Sequence, residues 1–476
     1  MSNIEKIHDK IKKYLFNIEQ LPIYNYKDIP STLSYIPNEQ LVSENCHLGQ
    51  RKLLLSEFEF YNKCVKTNNN LIIYAGSASC EHLPVILNLF PTLKFILIDP
   101  NYHSINAYYE YIYQNVDKIS NENFNLFKRL LHKNDNIRHK HLYHTTTKLL
   151  KTNFINNTTH NVLNNDHEHK RKMNQLMNDF YINKVDIIDY IMKGTKRVFI
   201  IQDYITIELT KKLKEYISNK KLDLYFITDI RTNMFGKNPN DIDIIWNSAL
   251  QIIFLKLLLP KYSMLKFRPP FFTSYDETVK YFQGKKTFII DDIKYASELC
   301  NTNLITEYIN HNFVYFNNDF IYTQAWSPRG STESRIIISL KNINKPFIIY
   351  DNFEWENKFY YFKLIRMYKF YPLFYEKIKN ISSLHYDGCQ DCAREIMIIL
   401  EYISKTNKNF DYDLPKLALE LDKPQTIKEL IYIYNLINEY TFFNLQKNSK
   451  CTHGYLIEYK KSIKYKTKDG ETIVKS

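Results

Sequence analysis

At 476 residues the chain has room for about three domains of ordinary size, or for one large domain carrying insertions. Hydrophobic residues at 44% and charged residues at 24% exclude a wholly disordered, collagen-like or disulfide-stapled chain. The balance of 64 Lys and Arg against 51 Asp and Glu leaves +13, a field that concentrates polyanions such as RNA, although lysine enrichment from base composition would give the same number.

The first residues, MSNIEKIHDKIKKYL, are charged throughout and lack the apolar run of a signal peptide. Residues 71–74 (LIIY) predict a short buried strand ending in a tight turn, Ala75-Gly76-Ser77-Ala78-Ser79, with a helix over 82–90. With only 9 glycines in the chain, a Gly in that turn carries information. Residues 95–98 (FILI) predict a second strand that ends at Asp99-Pro100, and 224–228 (LYFIT) a third that ends at Asp229. Buried strands with polar residues at their carboxyl ends are what an open parallel sheet presents to a ligand.

Between the second and third strands, residues 118–180 are crowded with Asn, His and Lys without sustained periodicity, and predict a low-complexity insertion to which no chemistry is assigned. The longest apolar run, 249–260, is broken by Lys256 and too short to span a membrane. Apolar residues at helical spacing over 246–259 predict a helix, and 287–291, 313–316, 335–340 and 347–350 predict strands. Residues 393–444 are mainly helical in pattern, and 448–476 form a basic polar tail expected to lack regular structure. Seven cysteines, an odd number spread over a long chain, point to a reducing compartment. Cys389, Cys392, Cys451 and His453 are spaced unlike a zinc site, so no metal is expected.

A Gly after the first strand and an acid, Asp99, after the second suit a nucleoside, whose ribose hydroxyls donate to such an acid, but a plain turn explains them equally well. Four charged residues in extended contexts add more: Lys52 in Gly49-Gln50-Arg51-Lys52-Leu53-Leu54-Leu55, Asp229, Lys266 in Leu265-Lys266-Phe267-Arg268-Pro269-Pro270-Phe271, and Glu333 in Ser331-Thr332-Glu333-Ser334-Arg335. In that order around a Gly-Ser-Ala turn, they resemble the Lys-Asp-Lys-Glu tetrad of ribose 2′-O-methyltransferases. Further blocks resemble, in sequence order, the poxvirus-type cap-specific mRNA 2′-O-methyltransferases that double as the small, regulatory subunit of the viral poly(A) polymerase. These are Gly236-Lys237-Asn238-Pro239, Asn247-Ser248-Ala249-Leu250-Gln251, and Trp355 through Tyr361.

The resemblance implies an α/β fold, a Rossmann-like S-adenosylmethionine-dependent methyltransferase sheet with helices on both faces. Its domain would run over 1–447, including an N-terminal cap-site segment and the 118–180 insertion. A ribose hydroxyl attacking a methyl sulfonium must lose its proton, so the site needs a base active near neutral pH. Desolvation, a neighbouring lysine and the sulfonium charge all disfavour a lysine cation, against the pull of Asp229 and Glu333. That assigns Lys266 as base and Lys52 as the like charge.

For the donor, the resemblance carries over Gln50, Tyr74, Gly76, Asp99, Ile205 and Asp229, and places Cys80 at the methionine end. Ser79-Cys80 stands where the family has Pro-Gly, and Asn101 replaces a basic residue. For a methylated cap, a flat cation that gains from stacking between two rings, it implies Tyr35 and Phe271 as rings and Glu356 as acceptor on the guanine edge. Phe272 and Thr273 stand where the family has an acid. Arg268, Ser331 and Thr332 would contact the transcript. The expected activity is methyl transfer to the ribose 2′-hydroxyl of the first transcribed nucleotide of capped viral mRNA, in host cytoplasm or virion. The alternative is an RNA-binding processivity subunit of a viral poly(A) polymerase, with transfer weak or lost. The expected partners are capped mRNA and a polymerase catalytic subunit, with no membrane.

Overall fold

The computed structural model describes residues 22–29, 49–78, 80, 82–99, 197–201, 204–232, 239–271, 288–327, 331–368, 371–384, 386, 388–405, 410 and 412–441, with two short strands near the carboxyl terminus. Tyr35, Ser79, Asn101, the 118–180 insertion, Gly236 to Asn238, Phe272, Thr273, Cys451 and His453 lie outside them.

Strands β1 (Asn70–Ala75), β2 (Phe95–Ile98), β3 (Val198–Ile201), β4 (Asp223–Thr228), β5 (Tyr262–Phe267), β6 (Phe313–Tyr315), β7 (Phe320–Tyr322), β8 (Ser334–Ser339) and β9 (Ile348–Tyr350) follow in chain order. Seven of them form one sheet in the order β3-β2-β1-β4-β5-β8-β7. The pairs β3/β2, β2/β1, β1/β4 and β4/β5 are all parallel. β6 and β9 pair antiparallel in a separate ribbon. The protein is therefore mixed α/β with a mostly parallel sheet. Strand order reverses between β1 and β4, and such a reversal leaves a crevice at the carboxyl ends where open α/β sheets take ligands.

By contacts the chain divides into two compact units. The sheet unit comprises Val65–Asp319 and Ile336–Asp351. Every residue of β1, β2 and β3 in it is buried, as a strand covered on both faces requires. Helix Asp241–Leu258 follows β4 and starts with a reciprocal cap: Asn240 Oδ1 accepts from Asp243 N at 2.9 Å, and Asp243 Oδ2 accepts from Asn240 N at 3.2 Å. It ends on Leu259 in a left-handed conformation, φ 51°.

The helical unit comprises Met1–Cys64, Phe320–Arg335 and Asn352–Ser476. Its helices Gly49–Cys64, Asn352–Tyr368, Gln390–Ser404, Leu414–Glu420 and Pro424–Thr441 bury long apolar faces; Leu54, Phe58 and Tyr61 recur at helical spacing on the first and are at most 1% exposed. Each such side chain contributes about 1.5–3 kcal/mol on burial.

One sequence expectation is corrected. The strand expected over 287–291 is replaced, from Phe288 on, by a helix, Phe288–Cys300, because Ile289, Ile290, Ile293 and Ala296 continue the short apolar run at helical period and all are buried. Within 448–476, Lys464–Lys466 (β10) pairs antiparallel with Thr472–Val474 (β11). Among the described residues, no helix is long and apolar enough to cross a membrane.

Candidate functional site

In the sheet unit, strand register brings the expected residues to one edge. Ala75 pairs with Thr228 and Thr228 with Leu265, so the residues just beyond β1 and β4 meet the end of β5. Asp229 N donates to Ala75 O at 2.9 Å, and Gly76 N donates to Ile98 O at 2.8 Å. Lys266 Nζ donates to Asp229 Oδ1 at 3.0 Å, and both side chains are about one-fifth exposed. Asp99, beyond β2, accepts Ala78 N on Oδ2 at 3.1 Å, so the acid and the turn after β1 are joined.

Gly76 has φ 73°, and a Cβ there would come within 2.7 Å of the Asp229 carbonyl carbon and of Ile230 N. The turn thus needs glycine to let β1 leave beside β4. Cys80 also has positive φ, 54°, and is buried. A left-handed non-glycine residue costs about 1–2 kcal/mol. Tyr74 is buried on β1, and Ile205 is half-buried just before the cap of helix Ile207–Ser218.

Beyond β5, Arg268 is half-buried. Among the described residues nothing accepts from its buried Nε. Phe271 is half-buried, and its backbone N donates to Asp241 Oδ1 at 2.9 Å, tying it to the helix after β4.

In the helical unit, Lys52 Nζ donates to Glu333 Oε1 at 2.8 Å. Arg335 NH1 stands 3.5 Å from the same oxygen and is itself buried, so one carboxylate is bracketed by two cations. Glu333 is held locally: its N donates to Ser331 Oγ at 3.1 Å, and Trp355 Nε1 donates to Thr332 O at 3.0 Å. Gln50 is half-buried on the first turn of the helix that carries Lys52. Glu356 is buried beside Trp355, on which Tyr26 stacks with centroids 4.5 Å apart.

The four expected charges therefore form two ion pairs, each inside one unit. Sequence reading missed Arg335 and the anchors of Arg51. Arg335 was visible two residues after Glu333. The partners of Arg51 lie over 340 residues away, beyond any local signal.

Cys389 serves as a helix cap, its Sγ accepting Cys392 N at 3.4 Å. Among the described residues no group of three or more His, Cys, Asp or Glu is arranged to hold a metal.

These features define an α/β protein with a mostly parallel sheet whose switch point carries a glycine turn, an acid and a Lys–Asp pair. Residues 19–165 match the family model described as poly A polymerase regulatory subunit, the family that the charged contexts resemble. The matched span includes helix Gly49–Cys64, β1 with its turn, and β2 through Asp99.

Proposed function

We propose that this chain acts as the regulatory subunit of a poly(A) polymerase, binding RNA and keeping a catalytic partner on it. The family match over 19–165 carries this reading. The net charge of +13 supports attraction to a polyanion, and Arg268, whose Nε finds no acceptor among the described residues, supports a phosphate contact. Adding the chain to a polymerase catalytic subunit and an oligo(A)-ended RNA should lengthen the tail made per encounter. Unchanged tail lengths would refute the reading.

A second reading, cap-specific ribose 2′-O-methyl transfer, is favoured by the Lys266–Asp229 pair at the switch point of a 3-2-1-4-5 strand order. The residues present suit S-adenosylmethionine: Asp99 stands at the carboxyl end of β2, where acids accept from a ribose, and its Oδ2 shapes the Gly76 turn. Bound there, the donor would supply an electrophilic methyl on a sulfonium. Lys266 would orient the 2′-hydroxyl and take its proton, and Asp229 would hold the amine in place. Lys52 and Glu333 would supply the second lysine and acid. Phe271, Glu356 and Tyr35 would take the cap, and Ser331 and Thr332 the transcript.

Labelled methyl transfer onto short capped RNA tests this reading. Lys266→Ala should lower transfer by about 10²–10⁴-fold, the usual worth of a positioned proton acceptor, while RNA binding persists. Wild-type protein that binds RNA and transfers nothing would leave the regulatory role alone.

A further inference from the structure

Lys52 and Glu333 meet across 281 residues of chain, so something must fix both of their backbones. Successive helix residues point about 100° apart, and Arg51, the residue before Lys52, is turned into the core of the helical unit. Its Nε donates to Glu395 Oε2 at 2.7 Å, and its NH2 group pairs with Glu395 Oε1. Its NH1 group donates to Asn438 Oδ1 at 2.9 Å and to Thr441 Oγ1 at 3.1 Å.

The same Glu395 reaches the other partner's segment. Trp326, upstream of Glu333 in the same piece of chain, donates its indole Nε1 to Glu395 Oε2 at 2.8 Å. Its backbone is left-handed, φ 58°, a conformation that a bulky residue keeps only where the surroundings enforce it. The Arg51 guanidinium stands 5.5 Å from the centroid of that indole. Next to it, Ser327 Oγ accepts from Arg366 NH1 at 2.9 Å, and Arg366 is paired with Asp391 at 2.7 Å. Tyr386 OH donates to Glu395 Oε1 at 2.8 Å, completing the shell of a fully buried carboxylate.

We propose that Glu395 is a positioning residue: through Arg51 on one side and Trp326 on the other, it sets the register in which Lys52 meets Glu333. Its effect on catalysis rests on the methyl-transfer reading; its effect on the pair does not. Beyond its one cation, Arg51, this interior carboxylate accepts from the Trp326 indole and so joins the two chain segments that carry the pair.

Amine-reactive labelling of the full-length chain, read by mass spectrometry, tests this without requiring turnover. Lys52 reactivity should rise about tenfold in Glu395→Gln, the change expected when about 1.4 kcal/mol of the Lys52–Glu333 pairing is lost. Lys63 on the same helix and Lys266 in the sheet unit should keep their wild-type labelling. Unchanged Lys52 reactivity would overturn the proposal, and so would a parallel rise at Lys63, because Glu395 would then merely hold the helix together. Trp326→Phe deletes one N–H donor and no charge, and decides by the same two readings if Glu395→Gln fails to fold. Where wild-type protein transfers methyl groups, Glu395→Gln should lower kcat with the donor KM unchanged; an unchanged kcat would overturn the positioning role. Absence of transfer by the wild type would refute the enzymatic reading and leave the labelling result to judge the register.

Discussion

Gly76 carries the tightest steric demand in the sheet unit. Its backbone lies at φ 73°, and the space a methyl group would need is taken by the backbone of Asp229 and Ile230 at 2.7 Å. Backbone yields less readily than the end of a flexible side chain, so Gly76→Ala should destabilise the unit by about 1–3 kcal/mol, combining left-handed strain with displacement of the β4 end. Urea denaturation would measure it. Because Asp229 also accepts Lys266, the same substitution should loosen that pair. The significance of this glycine was legible as a turn. The reason for it, the neighbouring strand's backbone, was not, since Asp229 is distant in sequence and only strand order brings it near.

At the scale of elements, the helix Asp241–Leu258 links β4 to β5 and also orders the chain beyond β5, because Asp241 on its first turn accepts Phe271 N. Its start depends on Asn240 and Asp243, which satisfy each other's backbone N–H groups, and Thr232 Oγ1 donates to Asp243 Oδ1 at 3.1 Å. Asn240→Ala should cost about 1 kcal/mol through the lost cap, visible as a lower denaturation midpoint with the m-value unchanged. Periodicity showed this helix and the strands β1, β2 and β4, since each carries its pattern in contiguous residues. It misassigned 287–291, because five apolar-rich residues fit both a strand and the start of a helix. The arbiter was packing: Trp246 on the earlier helix donates Nε1 to Asp292 Oδ2 at 2.8 Å, and its ring meets Phe288 edge-on.

For the molecule as a whole, the pH dependence of stability has an identifiable source in the helical unit. Glu401 is buried beside Lys63, Glu59 and Arg394, and burial, above all, pushes its carboxyl from 4.5 up to about 8. Lys63 Nζ lies 3.3 Å from Glu401 Oε1 and 3.5 Å from the centroid of the Tyr412 ring, and burial lowers its own titration. An acid whose folded value is raised keeps its proton while the unfolded chain has released it. Its contribution is therefore fully present below about pH 4.5 and is lost progressively as pH rises to about 8. Across that window wild-type stability should fall by about 2–4 kcal/mol relative to Glu401→Gln, which mimics the neutral acid and lacks the proton. Urea titrations near pH 5 and pH 8, followed by tryptophan fluorescence, to which Trp326 and Trp355 of the helical unit contribute, would show it; a constant difference between the two proteins would refute it.

The linear chain alone determined what adjacent residues encode: hydrophobic runs closed by Gly76, Asp99 and Asp229, the charged contexts around Lys52, Lys266 and Glu333, and an excess of positive charge. Only the tertiary structure decided who pairs with whom. Lys52 takes Glu333 and Lys266 takes Asp229, while Arg51 turns from its neighbour to Glu395. The reason is physical. Burial period and turn chemistry act over a few residues and leave their mark on local sequence, whereas an ion pair forms between whichever charges the folded path brings within about 4 Å, a property of the whole chain.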